Sequence, residues 1–380
     1  MIRLLDSLAG VDPAQWDALV GDGNPFVSHA FLQGMEEHGC LREDYGWQPH
    51  HLAMVEGERL VGAVPAYLKG NSHGEFVFDF AWAHAYERAG GDYYPKLLTA
   101  SPYSPVPGPR LLAASAKHKR LLVAGLVAEA QRLGLSSVHA NFLEEADLDA
   151  FDERWLPRFD WQFHWQNQGY ASFDDFLAAL SSKKRKNIRQ ERRQAAESGL
   201  TLGMTGGADL SAADWRAIHA LYESTFEMKG NHAALTLAFF RHLGRSFGND
   251  VQVATARMGG QLVAMAFFLV GGGNLYGRYW GAVVEVPGLH FELCYYRGIE
   301  YAIGRGLRTF QPGAQGEHKL ARGFLPTRTH SRHYLVHDGF HEAVADALRH
   351  EARAREAYRE ELMEHSPYTT SQASASPGSE

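Results

Sequence analysis

Within residues 313–323, GAQGEHKLARG, a carboxylate, an imidazole, an amine and a guanidinium follow one another between glycines. That set fits transfer of an acyl group to an amine. The reaction needs an amine made neutral, a carbonyl held about 3 Å from it, and donors for the tetrahedral oxyanion. Glu317 or His318 could take the proton, directly or through water, and Lys319 could face the oxyanion or hold a phosphate. Arg322 can meet an anion, and Gly313 and Gly316 let backbone approach a ligand closely. The other reading is a charged turn. Its place after an expected strand, where α/β folds put ligands, favours chemistry.

A second set is the run 181–193, SSKKRKNIRQERR, with seven Lys or Arg and the single acid Glu191 in a chain of formal net charge −7. Ser172 and Asp175 read as a capping box for a short helix through Phe176, Leu177 and Leu180. Ser181 or Ser182 then caps a second helix that Gly199 stops near Ser198. Four cations in a first turn oppose the macrodipole, which points to an anion-binding element or to a solvated face. Ile188 and Ala195 must face the core, so the ligand candidates narrow to Lys183, Arg185 and Arg189. Four lesser candidates follow. Arg278, in YGRYWG, sits in an apolar strand and needs an anionic partner. His290 and Glu292 open a helix and could form an acid–base pair. Tyr103 lies in the Pro- and aromatic-rich loop 99–112, which could line a site.

The elements that must carry these groups read as one plan repeated. In the first half, Asp12-Pro13 and Ser28 start helices over 15–20 and 30–38. A hairpin over 51–56 and 59–68 turns at Gly57-Glu58, followed by a third strand over 75–82, the ordered loop 99–112, a helix over 119–133 and a strand over 137–142. In the second half, helices over 214–226 and 237–247 precede a hairpin over 251–257 and 261–270, a strand over 274–282, a helix over 290–303 and a strand over 307–311. HLAMVEGERLVGAVPAYL aligns with VATARMGGQLVAMAFFLV. The expectation is an α/β (α+β) chain of two tandem domains, each a mixed, mostly antiparallel sheet flanked by helices. They span 1–165 and 166–365, the second opening with the basic helix, and 366–380 is a disordered tail.

This order of elements resembles the GNAT acyltransferase fold. Two such units resemble the Fem-type aminoacyl transferases and the FemAB-like N-acyltransferases, in their peptidoglycan biosynthesis-like branch. The resemblance rests on KKRKNIRQERRQAAESGL, on GLRTFQPGAQGEHKLARGFLP, where the family carries a Gly-rich turn and a functional Lys matching Lys319, and on SPYSPVPGPRLL and LHFELCYYRGIEYAIGRGL. It implies an acyl-CoA or aminoacyl-tRNA donor, an amine-bearing small molecule as acceptor, tRNA as partner where the donor is aminoacyl-tRNA, and no metal. At 283–290, VVEVPGLH, the chain departs from the Gln/Arg-x-x-Gly-x-Gly/Ala pyrophosphate loop of acetyl-CoA enzymes, which leaves aminoacyl-tRNA or another activated donor open. The leading reading is an N-acyltransferase acting on an amine of a small anionic substrate. The alternatives are tRNA-dependent aminoacyl transfer to a cell-wall precursor, and a tRNA- or nucleotide-binding protein that keeps the fold without the chemistry.

The whole chain sets bounds. Its 380 residues, 45% hydrophobic and 21% charged, suit two globular domains with full cores. An acidic balance excludes general coating of nucleic acid, so any polyanion contact is local. Cys40 and Cys294 form no redox or metal motif, and the 20 histidines lack supporting carboxylates at ligand spacing. The N-terminus has no signal-peptide pattern and no run reaches a membrane span, so the expected location is the cytoplasm.

Overall fold

The computed structural model describes residues 1–21, 23–314 and 316–369. The chain divides into two compact units, 1–161 with 328–357, and 162–327 with the chain from 358. The first boundary lies four residues from the 165/166 junction expected. The return of 328–357 to the first unit was not anticipated.

The first unit begins with β1 (Ile2–Leu5), α1 (Pro13–Val20) and α2 (His29–Glu37), the helices capped by Asp12 and Ser28 as their residue types require. Next come β2 (Trp47–Pro49), β3 (His51–Glu56), β4 (Arg59–Val64) and β5 (Ala66–Lys69), then α3 (Phe80–Arg88), β6 (Lys96–Thr99), α4 (Ala116–Leu133), β7 (Ser137–Leu143) and α5 (Glu145–Leu148). Strand β8 (Leu156–Gln166) leads out of this unit. The segment 75–82 is not the strand expected. It is a loop entering α3, with Phe76, Phe78 and Phe80 exposed and Glu75 and Asp79 buried. The register sets Lys69 opposite Lys96 and Leu98 opposite His139, so these groups share a face. Leu97 and Val138, on the other face, pack with Leu122 and Leu126 of α4.

The second unit continues with α6 (Phe173–Ala179), α7 (Ser182–Ala196), β9 (Thr201–Gly206), α8 (Ala212–Glu227), α9 (Leu237–Phe247), β10 (Val251–Met258), β11 (Gln261–Gly271) and β12 (Asn274–Ala282). A helix follows in three parts, α10 (Leu289–Phe291), a π turn (Glu292–Tyr296) and α11 (Arg297–Gly304), then β13 (Thr309–Gln311). The chain leaves through β14 (Leu325–Leu335), which pairs with β7 inside the first unit, and the 27-residue α12 (Asp338–Glu364). In this unit the strand order is β8-β13-β12-β11-β10-β9. Among the described residues of this unit, only β12 and β13 run parallel, over 274–276 and 309–311. Pro312 has no N–H to extend that ladder, and the strands part there. Between the sheet and the split helix lies a core of Phe268, Leu275, Leu293, Ile299 and Phe310.

The tail expected to be disordered from 366 is ordered at its start. Ser181 N–H donates to Pro367 O at 2.9 Å and the Tyr368 hydroxyl to Gly323 O at 2.7 Å. Residues 370–380 lie outside the described residues. No helix among the described residues is long and apolar enough to cross a membrane.

Candidate active site

Two irregularities shape a cavity of about 440 Å³ in the second unit. One is a β-bulge. Phe267 opposes Tyr279 and Phe268 opposes Gly277, which leaves Arg278 as the extra residue of β12. Strict alternation would present every second side chain, whereas Gly277, Arg278, Tyr279 and Trp280 all line the cavity. The other is the π turn. Its wider pitch brings His290, Cys294 and Tyr295 to the cavity side while Glu292 and Tyr296 face α7. The backbone beyond β13 supplies the remaining wall, with Pro312, Ala314, Gly316, His318 and Lys319.

Lys319 is 2% exposed, and its amine donates to Gly313 O at 2.7 Å and Ala314 O at 3.2 Å. Burial lowers its pKa to about 8. His290, which makes ring contacts with Trp280, Phe291, Tyr295 and His318, is brought to about 4, chiefly by burial and then by His318, Arg322, Lys319 and Lys229. It is neutral at physiological pH and has no hydrogen-bond partner among the described residues. His318 Nε2 is 2.8 Å from the Tyr295 hydroxyl, and its pKa is also lowered, first by burial and then by Arg322 and Lys319. A Cβ on Gly316, at φ +111°, would lie 2.6 Å from the His318 ring, so this seat for the imidazole requires glycine. The Arg278 guanidinium lies 5.6 Å from the Tyr279 ring centroid. Among the described residues, the lining contains Lys229, Arg278, His290, His318 and Lys319 and no Asp or Glu.

The structure therefore brings together His318, Lys319, Arg278 and His290 and separates the other candidates from them. Glu317 is exposed and accepts from the Tyr358 hydroxyl at 2.6 Å, outside the lining. Arg322 is engaged by its own unit, donating to the Tyr296 hydroxyl at 3.0 Å, His318 O at 2.8 Å and Glu191 at 2.7 Å, with its guanidinium 3.3 Å from the Phe291 centroid. Glu292 pairs with Arg192 at 3.0 Å and Arg297 at 2.9 Å instead of His290. Tyr103 belongs to the first unit, packed on Trp47 at 5.2 Å.

The basic run forms α7, but its selected cations do not line the cavity. Arg185 turns back to Ala178 O and Leu180 O at 3.0 and 3.1 Å, so its charge satisfies the carbonyl end of α6. Arg189 pairs with exposed Asp174 at 3.4 Å, and Lys183 points to solvent. Local caps had explained the helix but could not show that α6 ends beside it. Trp280, Cys294 and Lys229 were missed as lining residues. Tyr279-Trp280, adjoining Arg278, were the signal available for the aromatic wall. Nothing local marks the π turn that moves Tyr295.

Three solved structures share the fold at low identity. FemX is 11% identical with a TM-score of 0.52, covering 90% of this chain and 100% of that one. L-PGS from Bacillus licheniformis is 10% identical with a TM-score of 0.52, covering 85% and 91%. The C-terminal domain of a putative lysylphosphatidylglycerol synthetase from Agrobacterium fabrum is 11% identical with a TM-score of 0.50, covering 68% and 83%. No curated protein matches the sequence. The family model described as peptidoglycan biosynthesis/recognition matches residues 7–370, and the chain belongs to the FemAB-like family.

Proposed function

We propose that the protein is an N-acyltransferase that moves an activated acyl or aminoacyl group to the amine of a small anionic substrate, with its chemistry in the second unit's cavity. The observation that carries this reading is a buried lysine beside two neutral imidazoles in a lining with no carboxylate among the described residues. The neutral amine attacks the acyl carbonyl and the new C–N bond forms. The proton lost from nitrogen goes to His290 or to His318, and the C–O or C–S bond to the donor's carrier breaks. Below about pH 8 the Lys319 ammonium is charged. Two of its N–H bonds are held by carbonyls, which leaves the third for the oxyanion. The cationic lining suits an anionic group on the substrate, and Arg278 is the candidate for holding it.

Family membership favours a specific version, in which aminoacyl-tRNA is the donor and a cell-wall precursor the acceptor. Exposed Lys183, Lys186 and Arg193 on α7 would then meet the tRNA backbone. The name lysylphosphatidylglycerol synthetase, borne by a structural neighbour, adds an acceptor with a lipid phosphate to the classes worth assaying. The test incubates the full chain with acetyl-CoA or with a charged tRNA pool and a mixture of phosphate- and carboxylate-bearing amines, and reads acylated products by mass spectrometry. Product that vanishes with RNase identifies the tRNA-dependent version. Product from acetyl-CoA that persists with RNase identifies acyl-CoA use. Binding of tRNA with no product from any donor would replace the enzyme reading with that of a binding protein.

A further inference from the structure

We propose that Glu191, the one carboxylate in the basic run of α7, is a positioning residue for the turn that carries His318 and Lys319. The inference rests on reading that turn as catalytic. Glu191 accepts from Arg322 Nη2 at 2.7 Å and from the Tyr296 hydroxyl, and Arg322 Nε donates to that same hydroxyl at 3.0 Å. The other end of the guanidinium, Nη1, donates to His318 O at 2.8 Å. One side chain thus ties α7 and the π turn to the backbone of the catalytic residue. The Phe291 ring lies against the guanidinium and is also 5.3 Å from His290 and 5.9 Å from His318, so the clamp borders both imidazoles. The fit of α7 is close: a Cβ on Gly288, just before α10, would lie 2.4 Å from Glu191 O.

The carboxylate is what makes this an anchor. Arg322 is 8% exposed, and without Glu191 its charge would have only a hydroxyl and a carbonyl to answer it. The guanidinium would move toward water and release the turn at His318 O. Lys319, next in sequence, would then lose the enclosure that buries its amine. The abundant cations of α7 are its conspicuous feature, yet the group that reaches the catalytic turn is its acid.

The experiment is competitive labelling of the Lys319 amine with acetic anhydride across a pH series, quantified by peptide mass spectrometry, in wild type, Glu191→Gln, Glu191→Ala and Glu191→Asp. The wild-type midpoint is expected near pH 8. In Glu191→Gln and Glu191→Ala it should rise by a unit or more toward 10.5, which reduces labelling at pH 8 by about fivefold for the first unit and about tenfold for each further one. Glu191→Asp should recover part of the shift, and Arg189→Ala, elsewhere on the same helix, should show none. An unchanged midpoint in both Gln and Ala variants, with only a lower melting temperature, would overturn the proposal and leave Glu191 a merely structural residue. Should those variants not fold, Tyr296→Phe, which removes the shared hydroxyl and keeps the ion pair, must raise the midpoint by a smaller amount for the proposal to stand. Labelling reads the surroundings of Lys319 and not turnover. Failure of the acyltransferase reading would instead appear as no product from any donor, and failure of the catalytic role of the turn as unchanged product in a folded Lys319→Ala protein, so these failures are distinguishable from that of the Glu191 proposal.

Discussion

Lys96 in the first unit and Lys319 in the second are both buried amines near aromatic rings, and the molecule treats them oppositely. Lys96 donates to Glu75 at 2.7 Å, Asp79 at 2.6 Å and Ser72 at 2.9 Å. Burial alone would lower its pKa, but the two carboxylates outweigh that and raise it. Lys319 has two carbonyls and no carboxylate, and burial brings it down to about 8. The same contrast holds for the histidines. His139 and His333 face each other at 2.7 Å and use their other nitrogens on Ser137 and Ser331, whereas His290 meets only rings. A charge answered inside the fold holds structure. A charge left for the contents of a cavity is available for chemistry.

The comparison breaks most readily at Lys96. Lys96→Ala strands two buried carboxylates and should cost about 3–5 kcal/mol in chemical denaturation. A loss below 1 kcal/mol would mean that the cluster does not hold the loop 70–80. Next in size is the pH dependence of kcat/KM. Where His290 takes the proton it must be neutral, so once the ionisation of the substrate amine is divided out the rate should fall below about pH 4, and Lys319 must be charged, so it should fall again above about pH 8, in each case about tenfold per unit. Lys319→Arg keeps its charge and should push the upper limb out of range. A rate that climbs through pH 8 would make Lys319 the base instead. Arg185→Ala uncovers two carbonyls at the end of α6 and should cost about 1 kcal/mol, with the melting temperature as readout. Lys183→Ala should change stability by less than about 0.5 kcal/mol. A rise in KM for an anionic substrate on that substitution would return the basic helix to the site.

These outcomes bear on what a sequence can display. Caps were legible because their chemistry is local. Asp12, Ser28 and Ser172 each accept from the first turn of the helix they open, whereas Ser181 opens α7 without a side-chain hydrogen bond. The hairpins turning at Gly57-Glu58 and Gly259-Gly260 and the strand at 307–311 were legible from alternation and punctuation, although the strand expected over 59–68 divides into β4 and β5, and β5 pairs with β2 and β6 instead. The misread segment 75–82 inverts the usual rule. Its phenylalanines point outward and its acids inward, because Lys96, distant in sequence, makes burial of Glu75 and Asp79 favourable. β8 and β14 escaped notice for a related reason. Arg158, His164, Thr329, Ser331 and His333 break their apolar pattern, although most of these side chains are buried. In the site, Lys319, His318, Arg278 and His290 were legible by type. The bulge, the π turn and the Glu191–Arg322 clamp arise from tertiary pairing, so Glu317, Glu292 and Arg322 looked like equals of the residues that reach the cavity.

The most direct test of the difference between the two lysines is the rate of product formation by Lys319→Ala, measured beside its melting temperature, in the acylation assay that resolves the donor. The account predicts a fall of about 10²–10³ in kcat with folding preserved. Wild-type turnover in a folded Lys319→Ala protein would contradict it.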